Sequence, residues 1–152
     1  MAYLMAGQLS ELDRLQLQSR LVAPGGILAL EDPDTASWTF SPDAPAARRL
    51  VALILRAFRS AGGDFDAGRV TFDLLRAAGL EPALRADIVA LEPGHPYLRL
   101  PLQFAASLRP RLLEEVAEPE LDALLAEVEA ELSDPERRGL TFTLVQTWAV
   151  RP

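Results

Sequence analysis

The sequence predicts an α/β fold, and three stretches carry that prediction. Leu9–Leu21 repeats leucines at helical spacing and runs into the turn Pro24-Gly25-Gly26. Because Pro24 stops a helix and the glycines permit a sharp reversal, the apolar run Ile27–Glu31 is expected to be a buried strand. At the other end, Leu140–Val150 is rich in β-branched and aromatic residues, which predicts a long final strand.

Two helices are predicted after the first strand. Pro45 suits the first turn of a helix over about residues 46–61, and the pair Gly62-Gly63 ends it. A shorter helix is expected over about residues 69–78, because Gly79 is a suitable terminating residue.

The remaining elements follow from alternation and from prolines. Leu84–Leu91 alternates well enough to predict the second of three strands. Residues 97–116 are expected to be helical but interrupted, since Pro101 and Pro110 each remove a backbone donor. A clearer helix is predicted over residues 119–132.

The element order is therefore α-β-α-α-β-α-α-β. It contains no repeat and no linker that would divide the chain, so we expect a single domain over residues 1–152.

Composition excludes several classes of function. The net charge of −7 argues against a nucleic-acid partner, because phosphate binding needs a positive field. All 15 basic residues are arginine, which excludes Schiff-base and P-loop chemistry. There is no cysteine and a single histidine, so neither disulfides, thiolate nucleophiles nor the usual metal motifs are expected.

No apolar segment is long enough to cross a membrane, and the first residues do not form a signal peptide, so we expect a cytoplasmic protein without membrane association.

Four short segments form a recognisable series along the chain: the turn Pro24-Gly25-Gly26, the acidic strand end Glu31–Asp34, Gly68-Arg69 with the helix end Leu74–Leu80, and the final Thr147–Pro152. In this order they resemble segments of class I S-adenosylmethionine-dependent methyltransferases of the ubiquinone/menaquinone-biosynthesis-like group.

The resemblance implies the C-terminal half of that domain, comprising strands five to seven and the substrate-side helices. The implied architecture is an incomplete Rossmann-like methyltransferase fold with flanking helices. Its three-stranded mixed sheet would have the strand order first-last-middle, with the last strand inserted antiparallel between the other two. Trp148 and Phe142 would then lie close to the core.

The half that holds the cofactor in the family has no counterpart in this sequence. Family members bind S-adenosylmethionine through a Gly-rich loop after the first strand and an acidic residue after the second. Gly25-Gly26 and Gly62-Gly63 do not form such a loop, so no cofactor-binding residue is expected. S-adenosylmethionine is expected only if another chain completes the site, and the isolated chain should not bind it with micromolar affinity.

Six residues are candidates for binding a substrate. They are Asp32, Asp34, Trp38, Tyr97, Phe104 and Arg109. The carboxylates end a strand, where α/β sheets place ligands, but they could instead cap a loop or face solvent. The aromatic residues could line an apolar pocket or simply pack within their own domain. His95 could act as a general base, although a histidine beside Gly94 is also typical of a solvated turn. No catalytic residue is predicted.

These observations predict the substrate-side half of a small-molecule methyltransferase that is inactive as an isolated chain. A catalytically inactive small-molecule-binding or assembly subunit, or a truncated gene product, would have the same sequence features. The strand Ile27–Glu31 lacks the lysine, internal proline or inward charge that protects an exposed edge. We therefore expect a homodimer, or a cofactor-binding partner chain, that covers this edge.

Overall fold

A computed structural model of the chain describes residues 20–152. Within them the helices are α1 (Pro45–Ser60), α2 (Thr71–Ala77), α3 (Leu100–Leu112) and α4 (Glu118–Leu132). The strands are β1 (Ile27–Asp34), β2 (Thr39–Ser41), β3 (Glu81–Asp87), β4 (Ala90–Leu91), β5 (Arg138–Leu140) and β6 (Thr143–Val150). The predicted helix Leu9–Leu21 lies, up to residue 19, outside the described residues.

The chain forms two compact units. Unit 1 comprises residues 20–36, 62–88 and 142–152, and contains the sheet β1-β6-β3. Unit 2 comprises residues 37–61 and 89–141, and contains the sheet β2-β5-β4. All neighbouring strands in both sheets are antiparallel.

The expectation of one mixed three-stranded sheet is therefore corrected. The predicted strand Leu84–Leu91 is divided between β3 and β4, and Leu140–Val150 between β5 and β6, each pair in different sheets. At the point of division, the amide of Thr141 donates to the Val89 carbonyl and the amide of Val89 to the Thr141 hydroxyl, both over 3.0 Å. Apolar alternation continues across such a switch between sheets, so the sequence pattern does not reveal it. In unit 1 the last strand lies between the other two, but the strand order over both sheets differs from that of the single predicted sheet.

One face of the unit 1 sheet is covered by α2. The buried residues Leu75, Leu80 and Ala149 form a cluster, and partly buried Leu28 and Leu30 pack against it. Because side chains alternate along a strand, Leu28, Leu30 and Ala149 define the inner face of this sheet.

The opposite face of the same sheet is apolar and open among the described residues. Ile27 pairs with Val150, and both Ala29 and Ala83 pair with Trp148, so these side chains share the outer face. Ile27 is 64%, Val150 53% and Trp148 37% exposed. The expectation that Trp148 lies near the core is therefore wrong, because its register turns the ring away from α2.

Unit 2 is built on α1, whose apolar stripe packs against α3 and α4. The carboxylate of Glu131, on α4, accepts hydrogen bonds from the first amides of α1, those of Ala46 (3.0 Å) and Ala47 (2.9 Å). Those amides have no partner within their own helix, so Glu131 supplies the cap that the preceding Ala44 cannot. The expected interrupted helix over residues 97–116 is the shorter α3, preceded by a 3₁₀ turn at Pro96–Arg99.

Candidate functional site

The acidic end of β1 is held in a network of hydrogen bonds within unit 1. The Oδ1 atom of Asp34 accepts from Arg69 Nε at 2.9 Å and from Nη2 at 2.7 Å. Asp66 Oδ1 accepts from the amide and the hydroxyl of Thr35 at 2.9 and 2.7 Å. Hydrogen bonding from Arg69 lowers the pKa of Asp34 against the opposing effect of burial. Burial also opposes ionisation of Asp66, but the Thr35 hydrogen bonds and the Arg69 charge lower its pKa overall.

The backbone just before Asp34 is in direct contact with Gly68. A Cβ on Gly68 would lie 2.9 Å from the carbonyl oxygens of both Asp32 and Pro33. The Asp32 carboxylate is also engaged, because the buried Thr71 hydroxyl lies 2.8 Å from its Oδ2. Both candidate carboxylates of β1 therefore bind neighbouring segments of unit 1, as expected of carboxylates that cap a loop.

Two of the candidate aromatic residues meet in unit 2. The Trp38 ring, only 8% exposed, contacts Phe104 edge-on, with ring centroids 6.0 Å apart and planes at 77°. This geometry is typical of aromatic packing within a core.

Tyr97 and Arg109 have separate partners. Tyr97 is 49% exposed and lies edge-on to His95, whose Nδ1 accepts the Tyr97 amide hydrogen bond over 3.1 Å. His95 thus caps the turn that precedes α3. Arg109 donates to Glu118 at 2.9 Å and to Asp122 at 2.8 Å, which joins α3 to α4.

Two cavities of unit 2 are lined by none of the six candidates. The first, of about 380 Å³, lies between α1 and α4 over Leu53 and Leu121. Its two arginines have acidic partners: Arg49 pairs with Glu127, and Arg56 Nε lies 3.4 Å from Glu115. The charge at this rim is therefore largely neutralised within the unit.

The second cavity, of about 440 Å³, lies along the β2-β5-β4 sheet. Polar and charged groups are contributed by Thr39, Ser41, Arg138 and Glu92, and apolar surface by Ala90, Leu91, Pro93 and Leu140. Both cavities fall in the size range of small-molecule sites.

Arg137 is an important structural residue that the sequence analysis missed. It is 4% exposed, and its guanidinium donates to the Glu131 carbonyl over 2.9 Å and to the Pro42 carbonyl. Its position shortly after α4 was the available signal, because basic residues often bind the last carbonyls of a helix. The adjacent Arg138, also missed, is exposed at the start of β5.

Comparison with known proteins does not assign the chain to a family. No protein-family model matches the chain, and no curated protein sequence matches it. Within residues 20–152, no group of three or more acidic or histidine side chains is arranged to hold a metal ion. None of the helices in this part of the chain combines the length and apolar character that a membrane crossing requires.

Proposed function

We propose that the chain is the substrate-side part of an S-adenosylmethionine-dependent small-molecule methyltransferase. The observation that supports this most is the contact among the segments that carry the resemblance. The Gly25 amide donates to the Arg151 carbonyl over 2.9 Å, which joins the first segment to the last. Asp34 binds Arg69, which joins the second to the third, and Leu75 packs with Ala149, which joins the third to the last. Four short motifs with unrelated roles would not be expected to converge in one unit.

In this proposal the two units have different tasks. Unit 1 supplies the sheet that continues the cofactor-binding half, and unit 2 supplies the substrate side. Unit 2 is assembled from the two stretches of chain that leave and return to the unit 1 sheet, and it contains both cavities. Inserted stretches of this kind are where α/β folds carry substrate specificity.

The proposed cofactor site needs a Gly-rich loop and an acidic residue that have no counterpart in this sequence. A partner chain bound to unit 1 would supply them. The edge of β1 supports this proposal, because among the described residues 20–152 β1 pairs only with β6. A cofactor-binding chain, or a second copy of this chain, would cover this edge. An inactive small-molecule-binding or assembly subunit remains the second candidate, supported by the structural use of Asp32 and Asp34.

The first test measures S-adenosylmethionine binding by calorimetry. The chain alone is expected to show no micromolar binding. The chain mixed with a partner chain that supplies the Gly-rich loop and the ribose-binding acid is expected to bind about one equivalent. Stoichiometric binding by the chain alone, or no binding by the completed protein, would overturn the proposal.

Matched variants then test the edge of β1. Ala29→Lys is expected to weaken the association of the chain with the partner chain or second copy that covers β1, because an edge lysine opposes strand addition. Ala83→Lys is the control, since Ala83 on β3 faces the same Trp148 from the other edge and shares the exposed face. Equal effects of the two lysines would contradict the assignment of β1 as the docking edge.

A further inference from the structure

The cavity along the second sheet has one side chain set up to receive an anion. Ser41 lies opposite Arg138, and Thr39 and Ala90 lie opposite Leu140, so these side chains share the outer face of the sheet. The intervening Gly139 faces inward, and a Cβ there would collide with the Thr39 carbonyl oxygen. The inner positions are closed by packing, so the outer face is where a ligand has room.

Arg138 differs from most arginines of this acidic chain. The sequence contains 22 acidic residues against 15 arginines, and nine arginines within residues 20–152 form ion pairs, at positions 48, 49, 56, 69, 85, 99, 109, 111 and 137. Arg138 forms none among the described residues, although Glu92 lines the same cavity. Of the described arginines without an acidic partner, Arg138 is the one that lines either of the two cavities.

We propose that this cavity binds a small monocarboxylate with an apolar body. The planar guanidinium of Arg138 matches a carboxylate in two parallel hydrogen bonds, and the Ser41 hydroxyl opposite it can donate a third. Leu140, Ala90 and Pro93 contact the apolar body. Glu92 disfavours a second negative charge, so a monocarboxylate is preferred over a phosphate monoester. This inference goes beyond methyl transfer and does not depend on it.

The probes are benzoate, benzamide and phenyl phosphate, titrated into the full chain without S-adenosylmethionine. Benzoate is expected to shift the amide resonances of Ser41, Arg138 and Leu140 in a saturable way. Benzamide has the same shape without the charge and is expected to bind about tenfold more weakly, as is phenyl phosphate. Shifts of equal size and midpoint for benzoate and benzamide, or no saturable shift with benzoate, would overturn the proposal.

Variants test the role of the guanidinium directly. Arg138→Gln is expected to weaken benzoate binding about tenfold, whereas Arg59→Gln leaves it unchanged. Arg59 is a suitable control because it is another exposed arginine of unit 2, on α1, without an ion pair among the described residues. Circular dichroism checks that both variants fold. Unchanged benzoate affinity in a folded Arg138→Gln variant would refute the site, while leaving the methyltransferase proposal to its own test.

Discussion

Within residues 20–152, the two units bury apolar surface to very different extents. Unit 2 has a cluster of 12 buried apolar residues there that joins α1, α3 and α4, whereas the unit 1 cluster has three. Unit 2 therefore has a core of its own. In the described part of unit 1, one sheet face is covered by the short α2, and the other presents Ile27, Trp148 and Val150 to solvent. An antiparallel sheet commonly leaves one face to solvent, but that face is then normally polar, whereas this one is apolar. The difference indicates that unit 2 is close to self-sufficient, while unit 1 has surface suited to further packing.

Core truncation should reveal this difference most strongly. Leu50 in unit 2 and Leu75 in unit 1 are both fully buried. Leu50→Ala is expected to lower the free energy of unfolding by about 2–5 kcal/mol, because a large core cannot collapse around the cavity. Leu75→Ala should fall at the low end of that range, because the small cluster beside α2 relaxes more easily.

The two tryptophans allow each unit to be followed separately during denaturation. Trp38 lies in unit 2 and Trp148 in unit 1, and the chain has no other tryptophan. Unfolding in urea is measured by fluorescence in the single-tryptophan backgrounds Trp148→Phe and Trp38→Phe. If Leu50→Ala and Leu75→Ala lowered the free energy of unfolding equally, as reported by both tryptophans, the difference between the units would be contradicted.

A substitution at Gly68 tests how tightly β1 packs against the Gly68 segment of unit 1. Gly68→Ala would place a methyl group 2.9 Å from the Asp32 and Pro33 carbonyl oxygens, which cannot move without disturbing β1. We expect a loss of about 1–3 kcal/mol in the free energy of unfolding. The control Ala83→Ser, at an exposed position of β3, should stay within about 0.5 kcal/mol. A neutral Gly68→Ala would mean that β1 and the Gly68 segment are not in fixed contact.

The sequence predicts the helices better than the strands and sheets: its three predicted strands overlap β1, β3 and β6, whereas β2 was not predicted. Residues 46–61 and 119–132 are nearly the observed α1 and α4, because their apolar stripes and flanking Pro and Gly residues act locally. The division of Leu140–Val150 at Thr141 was not predictable, since it depends on hydrogen bonds to Val89, far away in the sequence. The outward orientation of Trp148 was missed for a similar reason, because a strand pattern gives alternation but not which face is covered.

The candidate site was predicted less well than the fold. Asp32, Asp34 and Arg109 were chosen by residue type and position, but their partners Thr71, Arg69, Glu118 and Asp122 are set by tertiary structure. Arg138 carries no local motif, and its significance depends on its forming no ion pair among the described residues, although Glu92 lines the same cavity. The sequence alone does not show which charges remain unpaired.

The smallest expected effect is the acid dependence of unit 1. The pKa of Asp34 is lowered in the folded protein, chiefly by its hydrogen bonds from Arg69. An aspartate in the unfolded chain titrates at about pH 4. The ionised carboxylate therefore stabilises the fold above that pH, and this contribution is lost as the pH falls from about 4 through the lowered native value.

Asp34→Asn should accordingly reduce stability at neutral pH, and its difference from the unmodified chain should shrink below about pH 4. Urea denaturation followed through Trp148 between about pH 3 and pH 7 measures this difference. Asp43→Asn serves as the control in unit 2. Asp43 pairs with Arg48 at 2.9 Å, but both side chains are more than half exposed, so water screens the pair and little effect is expected at any pH. A deficit of Asp34→Asn that stays constant across the whole pH range would show that Asp34 acts through packing and neutral hydrogen bonds rather than through its charge.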